Sequence, residues 1–587
     1  MDEYSTTLAD AAEKGHINVV KLLLSNTCAD PSSQNNGAIR WAAEQGHLEV
    51  VKLLLKDPRV NPSAQNNEAI RMAAEQGRLE VVKVLLKDSR VDTSAADNYA
   101  IRMAAEQGHT EVVRVLLKDP LVDPSAADNY AICNAASRGR LEVVKLLLED
   151  SRVDPSASDN YAIRFAVVYG HTEVVRLLLE DSRVDPSASD NYAICWANTK
   201  GHVEIVRLLL KDPRVDPSAG DNAAIRSATE KKNAKVVELL LTDPRVDPSV
   251  DDNYAICWAA ENGYTKVVKL LLKDSRVDFS TRHNYAIRWA ARNGHIKTVK
   301  VLLKNLGVDP SAQNNEAIRY AAERGHVEVV RLLLADSRVD PSAINNRAIH
   351  DAVIYGHTEV VRLLLTDQRV DPSEDHTFSI GDAAERGNTE VVRLLLEDSR
   401  VDPSVRDNYA IRIAAENGHL DIVRLLLEDS RVDPSVGDNN PIRYAVEKGH
   451  TEIVRLLLKD SRVDPSDWDN CAIRWAAENG DVEIVKLLLE DPRVNPSADY
   501  NYAIRLAARN GHTEIVKLLY YNFMSIRDLQ FDLNLNDISQ LSTCQDKTNN
   551  FLKRIQKTIR QKLIDIFKFD LLECIVDDII KYLQYTI

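Results

Sequence analysis

Histidine follows glycine at eleven places from Gly15-His16 to Gly511-His512, always separated by multiples of 31 residues. An imidazole column of that kind could ligate metals or relay protons. Arg40, Arg71 and Arg102 open a second column at the same spacing, which could read phosphates. Recurrence argues against both, because one residue in one slot solves the same packing or capping problem each time. Carboxylates recur with the same period and are surface charges before they are acid–base pairs. The sequence has no P-loop, HExxH, CxxC pair or Gly-rich dinucleotide turn, so neither an enzyme nor a cofactor is implied.

Seven cysteines show no metal or disulfide logic. Cys133, Cys195 and Cys257 share one slot, two units apart. That is roughly 20 Å if units stack at helix-packing distance, too far for a bridge. Reduced thiols point to the cytoplasm or nucleus. The opening MDEYSTTLADAAEKGH has neither a basic region nor an apolar run, so no signal peptide is expected. No stretch approaches the ~18 apolar residues of a membrane span. A net charge of −15 opposes nonspecific nucleic-acid binding.

From Thr7 to about Tyr521 one 31-residue unit is written seventeen times without insertion or deletion. Ala38, Ala69 and Ala100 begin a ladder that runs to Ala503, broken only at Ser379 and Pro441. Such units stack on neighbours instead of closing cores of their own. In residues 97–127, Asp97 and Asn98 suit a turn or helix N-cap. Ile101, Ala104 and Ala105 then share a helical face, and Gly108 ends the helix at positive φ. A second helix from about Thr110 to Lys118 buries Val112, Val113, Leu116 and Leu117, with Glu111 and Arg114 paired outside. Val122 is expected between units. Helices of about nine residues fall below the ~12–15 needed for independent stability, so stacking must hold them. Fourteen of twenty prolines sit in a (D/N)PS slot, as architecture.

AAEQGHTEVVRVLLKD resembles the ankyrin repeat, whose hallmark is AAxxGH followed by xxVVxxLL. That resemblance implies an all-α solenoid of about 17 helix–turn–helix units with a concave, protein-binding face. Two departures are systematic. The unit has 31 residues where the family usually has 33, and the family's TPLH reads YAIR here. Copies carrying DNYAIR and RVDPS also resemble the large ankyrin families encoded by giant DNA viruses, which would imply the cytoplasm of a host cell.

Exceptions among similar copies carry information. Before the GH pair, repeat 6 has Val168 and Tyr169, and repeat 12 has Ile354 and Tyr355, where glutamate and a polar residue are usual. The family's geometry puts these four on the concave surface, where they are partner anchors or repack locally against a neighbouring loop. Trp468 sits in a predicted hairpin where other copies carry Ala, Ser or Gln, and is the best single anchor. Bulky residues after AIR, such as Trp41, Phe165, Trp258 and Trp475, read as semi-buried packing. Arg282, Arg288, Arg292, Lys297, Lys300 and Lys304 form a basic zone that could receive an acidic partner or simply be a solvated face.

The period fails after 522. Residues 523–548 read as a polar connector, and 549–587 as a helical cap or docking segment that closes the last apolar face. FDLLECIVDDIIKYL (569–583) is faintly similar to F-box-like helices, without their Leu-Pro opening. The leading function is a non-catalytic, monomeric scaffold that binds one or more proteins, away from any membrane. The alternative is a substrate adaptor that recruits ubiquitin-ligase machinery through the tail.

Repeat 8 lacks the interhelical glycine and has Lys232 there, at a cost on the order of 1 kcal/mol for positive φ. Hydrogen exchange is expected to show repeat 8 less protected than repeats 5 and 14; equal protection would refute the weak joint.

Overall fold

The computed structural model describes residues 3–25, 29–373 and 380–525. It contains 34 α-helices and, among the described residues, no strand. They fall into two compact units. The first runs up to Ala290 and includes Lys297–Asp309; the second takes in Ala291–Ile296 and continues from Pro310. Within each unit, helix pairs stack repeat on repeat, first helix on first helix and second on second. The last helix, Thr513–Ser525, runs past the expected array end at 522. Beyond it, the connector and the proposed cap or docking segment lie outside the described residues.

Repeat 4 shows how one unit is built. Its first helix, counted with the turn that leads into it, spans Ala95–Gln107, and its second spans Thr110–Leu116. Ile101, Ala104, Ala105, Val112, Val113 and Leu116 are fully or almost fully buried, as the periodicity requires. Leu117 is only half-buried, and the second helix ends two residues earlier than expected. Val122 lies buried between repeats. Gly108 takes φ 87° and its N–H reaches the carbonyls of Ala104 and Ala105. Glu111 and Arg114 pair at 3.3 Å on the exposed face.

One local expectation is corrected. Asp97 and Asn98 do not cap the helix with their side chains. Ala96, Asp97 and Asn98 all have positive φ (54°, 55°, 57°) and form a left-handed turn closed by Asn98 N–H to Ser94 O at 2.8 Å. Left-handed backbone costs roughly 1–2 kcal/mol per non-glycine residue, so something must hold it. Arg102 does so locally: Nε donates to Asp97 O at 2.7 Å and Nη2 to Ala96 O at 3.0 Å. The next repeat does so from outside, as Asp123 N–H donates to the buried Asn98 Oδ1 at 2.7 Å. That 25-residue bond recurs from Asn36 to Asn470. A glycine already fills the first left-handed position at Gly220 and Gly437, where no side-chain penalty arises.

The RVDPS arginine, absent from the sequence reading, ties consecutive loops. Arg152 forks onto Asp150 and sends Nη1 to Val122 O at 2.8 Å, 30 residues back. Two departures in the preceding proline slot come with departures here. Thr93 replaces proline and Leu121 replaces arginine, leaving Asp119 to accept Thr93 Oγ1 at 3.2 Å. Phe279 replaces proline and Gly307 replaces arginine, and a β-carbon at 307 would overlap the Phe279 ring. Pro441 is accommodated because it follows the left-handed turn and enters the first helical turn, where its missing N–H costs nothing.

Lys232 keeps the turn shape at φ 60°, and the Tyr264 ring of the next repeat lies 5.2 Å from its ammonium. The polar faults near this joint lie in the core. Asn198 and Thr229 replace the second alanine of the AA pair in repeats 7 and 8 and are fully buried. Among the described residues, neither amide atom of Asn198 nor the Thr229 hydroxyl has a hydrogen-bond partner. An unsatisfied buried group costs about 1–3 kcal/mol. Asn198→Ala with Thr229→Ala is therefore expected to stabilise this joint by at least ~1 kcal/mol, read as slower amide exchange in repeats 7 and 8; faster exchange would contradict it.

Candidate partner-binding surface

Both periodic columns that could do chemistry are engaged with backbone. The arginine column clamps left-handed turns, as Arg40, Arg71, Arg319 and Arg412 repeat the pattern of Arg102. Cys133, Cys195 and Cys257 stand in this clamp slot. All three are free thiols, and burial pushes Cys133 up to about 12 and Cys257 up to about 11. They are poor nucleophiles near neutral pH. The histidine column closes the preceding repeat: His109 Nε2 donates to Glu75 O at 2.9 Å, 34 residues back. Its ring packs over the previous interhelical glycine, so a β-carbon at Gly77 would meet it at 2.5 Å. Arg78, Arg140 and Asn388 make the same bond where histidine is missing, and Asn233 reaches the carbonyl one residue earlier, Asn198 O at 2.9 Å.

What remains for recognition is the exposed side of the first helices. There the tyrosine of DNYAIR and the bulky residue four later form a ladder of rings. Tyr161 stacks on Phe165 at 4.0 Å, Tyr192 meets Trp196 at 5.7 Å, and Tyr285 stacks on Trp289 at 5.2 Å. Clamp arginines cross to the tyrosine of the next repeat, as with Arg102 and Tyr130 at 5.1 Å. That tyrosine donates backward to a glutamate 24 residues earlier, Tyr130 Oη to Glu106 at 2.7 Å. Burial, then the glutamate, pushes Tyr130 up to about 12. The bulky column is half-buried, as expected for packing between helices, and Leu506 is buried.

Val168 and Ile354 occupy the slot of that glutamate, so no Tyr–Glu bond can form there. Both are half-buried, not open as the sequence suggested, as are Glu44, Glu75 and Glu106 in the same slot. Their neighbours Tyr169 and Tyr355 are the exposed members, at 60% and 56%. Each leans towards the following histidine, at 6.4 and 6.3 Å between rings. Trp468 is 57% exposed at the first position of a left-handed turn, φ 57°. One face of its ring carries Arg443 at 4.0 Å, and Trp475 meets it edge-on at 6.2 Å.

The six basic residues do not share one element. Arg282 sits on a left-handed turn and reaches the Asp251 carbonyl at 3.1 Å. Arg288 folds onto the carbonyls of Arg282 and His283 as a clamp. Arg292, in the second unit, lies 5.0 Å from the Tyr320 ring. Lys297, Lys300 and Lys304 are exposed on the second-helix side. Chain proximity concealed this dispersal, since adjacent helices of one repeat present different faces.

Helix pairs joined by a positive-φ glycine, with buried AA and VV steps, recur through both units. A family profile for ankyrin repeats (three copies) matches the chain in windows from 2–66 to 460–537, which together leave only 376–379 uncovered between them. The chain belongs to the ankyrin-repeat family. Comparison with curated proteins finds no match. Ankyrin repeats are in general interaction modules and no enzymatic family is indicated. Among the described residues of this ankyrin-repeat protein, no helix is long and apolar enough to cross a membrane.

His326 offers a titratable test of the ankyrin stack. Burial lowers its pKa below the ordinary 6.5, while Nε2 donates to Arg292 O at 2.9 Å. A base with a depressed folded pKa contributes stability in full above its unfolded value, and that contribution is lost as pH falls through the folded one. His326→Asn is expected to keep the carbonyl bond and flatten the acid limb of a stability-against-pH curve below pH ~6.5. His326→Ala should lose about 1 kcal/mol at neutral pH. An unchanged acid limb in both variants would refute the role.

Proposed function

We propose that the chain is a non-catalytic scaffold that binds a partner protein along the exposed side of its first helices. One observation carries this reading. The periodic histidines and arginines are bonded to backbone, while aromatic side chains break the surface pattern at chosen repeats on the first-helix side. Large aromatic groups at the centre of a surface are the usual carriers of binding energy. On this reading Tyr169, Tyr355 and Trp468 are the anchors, and Val168 and Ile354 shape the floor beside two of them. The dispersed basic residues are not a single docking patch, and Lys297, Lys300 and Lys304 serve solubility first. The protein acts as a monomer in the cytoplasm, with a host-cell cytoplasm following if the DNYAIR and RVDPS style reflects a giant-virus source.

The second reading, a ubiquitin-ligase adaptor, depends on residues 569–583. Affinity capture with the full chain and with a truncation ending at Asn522 separates the two. Loss of cullin-type components alone in the truncation favours the adaptor, and unchanged partners favour the plain scaffold. For the scaffold itself, Tyr169→Ser and Tyr355→Ser are each expected to weaken partner binding about tenfold or more. Glu173→Gln, on the exposed second-helix side, should leave it unchanged. Equal affinity across all three variants would refute binding by the first-helix side.

A further inference from the structure

Repeat 16 departs from the repeat consensus where its first helix meets that of repeat 17. Cys471 stands where eight repeats carry the DNYAIR tyrosine, and Trp468 stands where alanine, serine or glutamine is common. The Tyr–Glu bond is also open there. Tyr99, Tyr130, Tyr254 and Tyr285 each donate to the glutamate 24 residues back. Tyr502 stands in that relation to Glu478 but makes no such bond. Glu478 keeps only its backbone carbonyl engaged, by His512 and Asn510. These departures open one cavity of about 410 Å³, lined by Trp468, Trp475, Tyr502, Glu478, Asp469 and Arg474 with Cys471 among them.

The lining selects a ligand by charge. Three aromatic rings line the cavity, and a cation is favoured over a free ring face. Trp468 already accepts one, since Arg443 lies 4.0 Å from its ring centre while more than half of the residue stays exposed. The carboxylates of Glu478 and Asp469 are exposed and, among the described residues, form no ion pair or hydrogen bond. Arg474 is engaged elsewhere: Nη2 donates to Trp468 O at 2.9 Å and Nη1 faces Asp499 at 3.5 Å, while its guanidinium and that of Arg505 lie 5.8 and 5.1 Å from the Tyr502 ring. Two free carboxylates beside an aromatic wall suit a cationic side chain and repel an acidic one. The net charge of −15 steers basic partners towards the chain.

We propose that this cavity receives a lysine or arginine side chain from a basic segment of a partner protein, with its stem against the exposed part of Trp468 and its charge shared by Glu478 and Asp469. The inference rests on the partner-binding reading above and names the chemistry of one subsite. Cys471 matters by being small, because a tyrosine ring there would take space from the cavity it lines.

The test titrates the full chain, at physiological salt, with short Gly/Ser peptides bearing spaced lysines, arginines, trimethyl-lysines, glutamates or phenylalanines. Binding is read by calorimetry and tryptophan fluorescence. The basic peptides are expected to bind and the others not to, with the trimethyl-lysine arm showing whether rings or carboxylates dominate. Glu478→Gln should weaken basic peptides about fivefold or more, and Trp468→Ala, at an exposed position, should do the same. Cys471→Tyr restores the repeat consensus and should abolish binding while circular dichroism stays native. Basic peptides that bind wild type and Cys471→Tyr equally, a preference for phenylalanine, or no binding at ~1 mM peptide would each overturn the proposal. None of those results touches the scaffold reading, which stands or falls on the Tyr169 and Tyr355 variants.

Discussion

Every helix here ends before it can stand alone, and the missing backbone partners come from the neighbouring repeat. The helical stretches run from six to thirteen residues, and a left-handed turn is counted inside many of the first helices. Their end carbonyls and loop N–H groups are satisfied by side chains reaching across the repeat boundary: asparagine 25 residues ahead, arginine 30 back and histidine 34 back. Each bond is modest, about 1 kcal/mol net. The cost of leaving its partner unmade in a buried joint is larger, so the ladder decides register as well as stability. Apolar burial of AA, VV and Leu steps supplies the bulk of the driving force. Hydrogen bonds decide which slot faces which.

A consequence is that substitutions travel in pairs across a boundary. Thr93 comes with Leu121, Phe279 with Gly307, and Lys232 with Tyr264. The geometry explains each pair. A histidine ring packs over the preceding interhelical glycine, so a lysine there needs a different neighbour, and the tyrosine supplies a ring for its ammonium. Constraint of this kind limits what a stacked protein can change internally. Variation collects on the first-helix side, where ring residues and turn positions point outward, and that is where the partner-binding reading places recognition.

Much of this was legible in the chain. The 31-residue register, the two helices, the positive-φ glycine and the structural use of the histidines all follow from recurrence. Tyr169, Tyr355 and Trp468 were legible as exceptions, and they are exposed. Val168 and Ile354 are half-buried and not open, because their slot lies between stacked first helices, as most glutamates in it also show. The basic residues were misjudged as one zone, because 31 residues of chain fold into two helices with different outward faces.

Sequence alone decided the repeat, its period and its apolar faces, since periodicity in one dimension dictates which residues can share a buried stripe. Tertiary structure decided everything that spans a boundary: the left-handed turn tied through Asn98 to Asp123 of the next repeat, the RVDPS arginine tying loops, and the cavity lined by Cys471. Those features join residues about 24 to 35 positions apart, and no local propensity encodes such a contact until stacking fixes the distance between neighbouring repeats.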